Sequence, residues 1–154
     1  MSINRLIIIF IVILLIVLGV LYFQFSKNSA PKSKVTIDTH IFSVKVATTS
    51  AQQQQGLSGV KSLPQDQGML FVFATPAKYP FWMKGVNFPL DIIFIKDTKV
   101  VSTVQNAPAP KSGETDSPIY QPPAPVNKVL EINAGLVKKY DIKQNDDVTI
   151  KLVQ

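Results

Sequence analysis

Two acidic residues lie within strand-like apolar segments, where a carboxyl group is a candidate for acid and base chemistry. Asp91 lies in the run Leu90–Ile95, and Glu131 lies in the run Val129–Ile132. Because strand side chains alternate between faces, each carboxyl group would stand on an apolar surface and would need a partner there. Two such groups projecting into one cleft can divide the acid and base roles, as in glycosidases. One hypothesis is therefore a glycan-directed hydrolase that uses Asp91 and Glu131.

A second hypothesis is a ligand-binding site without catalysis. Its candidate residues combine aromatic rings with charged and amide groups, and they are Trp82, Lys84, Asp91, Asn106 and Tyr120. The aromatic rings could stack on a sugar or a planar ligand. The competing interpretation is structural: Asp91 accepts N–H groups from the preceding loop, residues 85–88, or pairs with Lys84, and the aromatic side chains belong to the core. The sequence leaves both interpretations open.

Most other kinds of catalytic site find no support in the sequence. The chain has no cysteine, which excludes disulfides, thiol catalysis and thiolate metal sites. His40 is the single histidine, so histidine-pair metal motifs are excluded as well. No phosphate loop, dinucleotide fingerprint or serine elbow is present. We therefore predict no metal and no cofactor, and we favour a binding or accessory module over an enzyme.

The net charge of +6 is concentrated near the amino terminus. From Val35 onward, twelve lysines face ten acidic residues, so the remainder of the chain is nearly neutral. This balance argues against a nucleic-acid partner. Lys27, Lys32 and Lys34 follow an apolar segment, and lysines in that position are suited to anionic lipid headgroups.

The apolar segment is Leu6–Phe23, eighteen residues without a formal charge. As a helix it would span about 27 Å, close to the roughly 30 Å of a bilayer core. We predict a membrane anchor in residues 1–25 and a basic polar tether in residues 26–34. Cleavage as a signal peptide is the alternative, although such peptides usually have a shorter apolar region. The flanking lysines by themselves favour a cytoplasmic domain.

Residues 35–154 are expected to form one mainly β domain, a β-rich α+β barrel-like fold with two short helices behind one transmembrane helix. The predicted strands are Ile41–Val46, Met69–Phe73, Leu90–Ile95, Lys99–Val104, Val129–Ile132 and Val148–Leu152. One helix should follow a capping box at Ser50–Gln53, and the other should cover Ala134–Tyr140. Residues 105–127 contain six prolines and no apolar periodicity, which is typical of a functional or disordered loop.

Seven short motifs follow one another along the chain. They are Gly56–Gly59, Leu63–Pro64, Gly68–Phe71 with Phe73, Phe81–Lys84, Pro89–Ile92 with Phe94–Ile95, Asn106–Pro108 and Val129–Gly135. In this order they resemble the signature of the uncharacterised prokaryotic family known as domain of unknown function 192. The resemblance covers nearly all of Ile41–Leu152; a departure is Gly85, where the family often has asparagine.

The resemblance implies a small, mainly β domain that is usually exported behind a signal peptide or anchor. It implies no activity, cofactor or catalytic residue. The family resemblance favours an extracytoplasmic domain, whereas the flanking lysines favour a cytoplasmic one. A cytoplasmic domain and a domain secreted after cleavage are the alternatives. We therefore predict a membrane-tethered binding or accessory module of the cell envelope. Two alternative hypotheses are the glycan-directed hydrolase and a purely architectural role for the motif residues.

Overall fold

The computed structural model describes residues 11–17, 33–111 and 118–153. Of the predicted anchor, residues 11–17 are helical, and the rest lies outside the described residues, as do Lys27 and Lys32. Among the residues described, no helix is both long and apolar enough to cross a membrane. The chain divides into two compact units, Met1–Pro31 and Lys32–Gln154. All elements below belong to the second unit.

The described residues of the second unit form one seven-stranded sheet and two short helices. The strands are β1 Ser33–Ile37, β2 His40–Ala47, β3 Gln67–Ala77, β4 Leu90–Lys96, β5 Lys99–Ala107, β6 Val126–Asn133 and β7 Val148–Lys151, and the helices are α1 Ser50–Gln55 and α2 Leu136–Lys139. The strand order is β5-β4-β6-β3-β2-β1-β7. The pair β2 and β3 is parallel and is joined through α1, whereas the other neighbouring pairs are antiparallel.

The sheet curls so that its two edge strands approach each other. Lys99, at the start of β5, forms an isolated bridge with Asp147, next to β7. The N–H of Val148 also donates to the carbonyl of Thr98 at 2.8 Å. The result is a half-barrel, which confirms the prediction of a mainly β domain with few short helices.

The central strands are buried on both faces, as their unbroken apolar runs predict. One face belongs to what we call the α2-side core, which includes Leu70, Ile93 and Leu130 together with Val137 of α2. The opposite face belongs to what we call the aromatic core. Its members include Phe71, Phe81, Met83, Ile92, Phe94 and Val129. The alternation predicted along Leu90–Ile95 is therefore confirmed.

Both helices differ in detail from the sequence prediction. The capping box begins one residue earlier, at Thr49, whose hydroxyl accepts the N–H of Gln52 at 3.3 Å while the Gln52 side chain accepts the N–H of Thr49 at 3.1 Å. The second helix has only four residues, because Gly135 precedes it in a left-handed conformation and Tyr140 ends it. The predicted helix over Ala134–Tyr140 was therefore too long.

Most strands extend further than predicted, because sheet partners continue the hydrogen-bonded ladders beyond the apolar runs. β5 continues to Ala107, opposite Leu90, and β6 begins at Val126, opposite Ala77. Both residues lie in the segment 105–127 that was predicted to be loop. β1 was not predicted, and it begins at Ser33, inside the predicted tether.

Candidate functional site

Asp91 is a fully buried carboxylate whose two oxygens both accept backbone N–H groups. The N–H of Asn106 donates to Oδ1 at 2.8 Å, and the N–H of Val137 donates to Oδ2 at 2.7 Å. The type of partner agrees with the structural interpretation, since buried carboxylates are commonly satisfied by amides. The predicted partners, residues 85–88 and Lys84, were wrong.

The local backbone explains why these two amides need Asp91. Between the pairs Leu90↔Ala107 and Ile92↔Val104, β5 carries one residue more than β4 and forms a bulge, and Asn106 has a φ of 56°. A bulge leaves a backbone amide without a partner in the ladder. The other amide lies in the first turn of α2, where Gly135 has no side chain to cap the helix. Asp91 therefore joins β4, β5 and α2.

Glu131 points to the other face of the sheet. In the ladder between β4 and β6, Asp91 lies opposite Ile132, and Glu131 lies opposite Ile92. Residues directly opposite each other share a face, so Asp91 belongs to the α2 side and Glu131 to the aromatic side. The two carboxyl groups project from opposite faces and share no cleft. The structure does not bring together the acid and base pair on which the hydrolase hypothesis depends.

A cavity of about 240 Å³ lies on the face that carries Glu131. One side of its lining comes from α1 and the turn that follows it. Phe71 and Phe73 of β3 and the segment Tyr79–Val86, which includes Trp82 and Lys84, contribute much of the remaining lining. Glu131 is the lining residue that carries a buried carboxyl group, with 4% of its surface exposed. The cavity thus combines an aromatic wall with one acidic group.

The aromatic wall is tightly ordered. The rings of Phe73 and Tyr79 are stacked with their centroids 3.6 Å apart, and Phe81 meets Phe71 edge-on at 5.0 Å. Trp82 is 46% exposed, which is unusual for so large an apolar side chain. An exposed aromatic ring beside a cavity is a ready contact for a ligand.

Glu131 is electrostatically unusual. Its Oε2 atom is buried and has no hydrogen-bond partner within the described part of the chain. Burial raises the pKa of its carboxyl group from 4.5 to about 8, because the charged form is deprived of water. The carboxyl group is therefore mostly protonated at neutral pH. Perturbed groups of this kind, placed in a cavity, are characteristic of functional sites.

The candidate binding residues separate into two sets. Trp82 and Lys84 line the cavity, whereas Asp91, Asn106 and Tyr120 are not part of its lining. Asn106 contributes its backbone amide to Asp91. Tyr120 pairs with Phe81 through two backbone hydrogen bonds of 2.8 and 2.9 Å, and so attaches the proline-rich segment next to Trp82.

Sequence reasoning missed the aromatic wall. Phe71 and Phe73 alternate with Leu70 and Val72 in β3, and that pattern places both rings on one face. The alternation along β3 was therefore a signal in the sequence that could have identified the aromatic wall. Among the described residues, no group of three or more histidine, aspartate or glutamate side chains could hold a metal ion.

Comparison with known proteins assigns the family. The profile of the family DUF192, described as "Uncharacterized ACR", matches residues 33–150. The chain therefore belongs to the domain of unknown function 192 family. No curated protein matches the chain.

Two solved structures are similar to the chain. One is a protein of unknown function from Novosphingobium aromaticivorans DSM 12444, 35% identical, with a TM-score of 0.69 over 77% of this chain and 83% of that one. The other is a proposed transcription regulator from Sinorhizobium meliloti 1021, 31% identical, with a TM-score of 0.67 over 77% of this chain and 92% of that one. Both similarities support the fold, and neither supplies an established activity.

Proposed function

We propose that this chain is a membrane-tethered module that binds a small organic ligand in the cavity beside Glu131. The observation that carries the proposal is the buried, unpartnered Oε2 atom of Glu131 within an aromatic-lined cavity. A buried polar atom without a hydrogen bond costs free energy, typically about 1–3 kcal/mol. A ligand that partners this atom would recover that cost.

The composition of the lining supports binding. Ligand cavities are mostly apolar and aromatic, with a few polar groups that fix the ligand's orientation. Here the aromatic rings supply the apolar area, while Glu131, Lys84 and the glutamines of α1 supply the polar groups. Catalysis by Asp91 together with Glu131 is not proposed, because the two side chains lie on opposite faces of the sheet.

The membrane tether rests on the length of Leu6–Phe23 and on the lysines that follow it. Placement of the domain outside the cytoplasm is part of the same proposal. It is supported by the family resemblance, which implies a domain that is usually exported behind a signal peptide or anchor. A nucleic-acid partner is not proposed, because the chain from Val35 onward is nearly neutral.

Trp82 is the single tryptophan of the chain and lines the cavity, so its fluorescence reports on the site directly. The test is a screen of small organic compounds, including amines, amino acids and sugars, against the full-length chain in a non-ionic detergent. Compounds that change Trp82 fluorescence are confirmed by ligand-observed NMR. We expect saturable binding for at least one class of compound.

Matched lysine variants locate the binding. Lys84 lines the cavity, and Lys78, one residue before the segment Tyr79–Val86, is an exposed lysine that does not. For a ligand that contacts the part of the cavity lined by Lys84, Lys84→Ala should change the Kd several-fold, and Lys78→Ala should leave it unchanged. Trp82→Ala should weaken binding in the NMR assay for every ligand. A ligand that is indifferent to Trp82→Ala binds elsewhere, and a screen without any saturable binder contradicts the proposal.

A further inference from the structure

We propose that the ligand of this cavity carries an alkylammonium group, held between the Glu131 carboxylate and the aromatic rings. The inference rests on the proposed ligand-binding function and specifies its chemical class. It follows from three features of the described residues: the unpartnered Oε2 atom of Glu131, the aromatic rings around it, and the small number of other titratable groups in the lining.

The first feature is the missing partner of Glu131. Neither of the two salt bridges in the described part of the chain, Lys99–Asp147 and Lys143–Asp141, involves it. A buried carboxylate is stable in its charged form when an opposite charge lies against it. A positively charged ligand would supply that charge, and the buried location would strengthen the attraction by excluding water.

The second feature is the density of aromatic rings. Phe71, Phe73, Tyr79, Phe81 and Trp82 all line the same cavity. The face of an aromatic ring attracts cations, and cages of such rings recognise quaternary and methylated ammonium groups. The volume of about 240 Å³ is just below the usual range of ligand pockets, about 300 Å³ and upward. The ligand, or the part of it that enters, is therefore small.

The third feature is the small number of titratable groups around Glu131. Its sheet neighbours are Met69 of β3 and Ile92 of β4, and α1 contributes Ser50 and glutamines to the lining. The segment Tyr79–Val86 contributes two titratable side chains, Tyr79 and Lys84, and Lys84 is exposed. Glu131 is thus the one acidic group of the lining, and it determines how binding depends on pH.

Binding of a cation should release a proton. Burial raises the pKa of Glu131 to about 8, so at pH 6 or 7 the carboxyl group must lose its proton before it can pair with an ammonium group. The ionised fraction below the pKa rises tenfold per pH unit, so the affinity should rise by up to about tenfold per unit and level off above pH 8.

The experiment compares the binding of charged ligands with that of a neutral ligand of the same shape. Calorimetric titrations of the full-length chain use methylammonium, tetramethylammonium and choline, and also 3,3-dimethyl-1-butanol, which has the shape of choline but a carbon atom in place of the charged nitrogen. At pH 8 we expect choline to bind at least tenfold more tightly than the alcohol. From pH 6 to pH 8 the affinity for choline should rise, and that for the alcohol should stay constant.

Two variants assign the effect to Glu131. Glu131→Gln has the same shape without the charge, so it should abolish the pH dependence and reduce the preference for choline to the part that the aromatic rings supply, while still binding the alcohol. Asp66→Asn changes an exposed acid outside the cavity and should behave as the natural chain does. Residual binding of the alcohol shows that Glu131→Gln is folded.

The outcomes separate the two proposals. If no ammonium compound binds more tightly than the alcohol at pH 8, or if Glu131→Gln keeps the full preference together with its pH dependence, the ammonium inference is overturned and ligand binding by the cavity stands. If none of the four compounds binds and no compound of the wider screen changes Trp82 fluorescence, both proposals fail together.

Discussion

Asp91 and Glu131 show how one sequence pattern leads to two different side-chain environments. Both are acidic residues within apolar strands, and both are buried. Asp91 accepts two backbone amides, whereas Oε2 of Glu131 has no partner among the described residues. A satisfied carboxylate holds elements together, and an unsatisfied one adds a free energy cost. We therefore assign Asp91 to architecture and Glu131 to the site.

Replacement of Asp91 tests the architectural assignment. Asp91→Asn keeps one carbonyl oxygen but places an amide NH₂ group against one of the two N–H donors. We expect a loss of about 2–4 kcal/mol in the free energy of unfolding, as for a broken buried charged network. Chemical denaturation measures it, with the exposed Asp66→Asn as control, expected within about 0.5 kcal/mol of the natural chain. A cost for Asp91→Asn no larger than that of the control would contradict the assignment.

Replacement of Glu131 should stabilise the fold in a pH-dependent way. The folded-state pKa of about 8 lies above the ordinary value of 4.5, so between these values the unfolded chain has released a proton that the folded chain keeps. Raising the pH through this window therefore favours unfolding, by up to about 1.4 kcal/mol per pH unit. Glu131→Gln should escape this loss, and its stability relative to the natural chain should rise from pH 5 to pH 8.

Denaturation of both chains at pH 5, 6, 7, 8 and 9 measures this difference. Other titrating groups are common to both chains and cancel in the comparison. A difference that is flat across this range would mean that Glu131 ionises normally in the folded state.

The sequence predicted that both carboxyl groups stand on apolar strand faces, but neither the depth of their burial nor their partners. Strand alternation was sufficient to place Asp91 and Glu131 on apolar faces. The amides that hold Asp91 lie 15 and 46 residues away in the chain. These amides reach Asp91 only because β5 forms a bulge and α2 begins beside β4. Both features arise from tertiary packing, and no local sequence pattern predicts them.

At the scale of elements, the segment that carries Trp82 and Lys84 is held by a close backbone contact. The N–H of Gly59, in the turn after α1, donates to the carbonyl of Gly85 at 2.8 Å. Both glycines have positive φ values, 76° and 74°. A Cβ atom on Gly85 would overlap the hydroxyl of Ser58, whereas a Cβ atom on Gly59 would meet nothing within 4 Å. The two walls of the cavity therefore approach closely at Gly85.

This difference gives a matched pair of variants. Gly59→Ala should cost about 1–2 kcal/mol, from the left-handed backbone alone. Gly85→Ala should cost about 1 kcal/mol or more in addition, from the overlap with Ser58. Thermal denaturation ranks the two variants. Adding Ser58→Gly should recover the additional cost in the Gly85 variant and leave the Gly59 variant unimproved, and equal costs in the two single variants would show that the walls are not in close contact.

The strands were predicted better than the long segment between β5 and β6. Continuous apolar runs identified β4, and Asp97, with its φ of 55°, makes the predicted turn into β5. The segment 105–127 was predicted as loop because prolines hide its periodicity. Its ends nevertheless join strands, and Tyr120 bonds to Phe81, because partners distant in the sequence supply the hydrogen bonds.

At the scale of the whole molecule, the membrane orientation is directly testable because the chain has no cysteine. Gln144 is exposed in the turn before β7, so Gln144→Cys introduces one accessible thiol. We expect a membrane-impermeant maleimide to label it in intact cells as fully as after permeabilisation, and the chain to stay in the membrane pellet after alkaline extraction. The cysteine-free chain is the background control. Labelling only after permeabilisation would place the domain in the cytoplasm, and release by alkali would contradict the anchor.

The decisive measurement for the proposed site is the pKa of the Glu131 carboxyl group. Carboxyl carbon NMR of the full-length chain, with the Glu131 resonance assigned through Glu131→Gln, follows its ionisation from pH 4 to pH 10. We expect a midpoint of about 8 in the free chain and a lower midpoint with saturating choline, because a bound cation favours the ionised form. A midpoint near 4.5 in the free chain would show a solvated or paired carboxylate, and it would contradict the site described here.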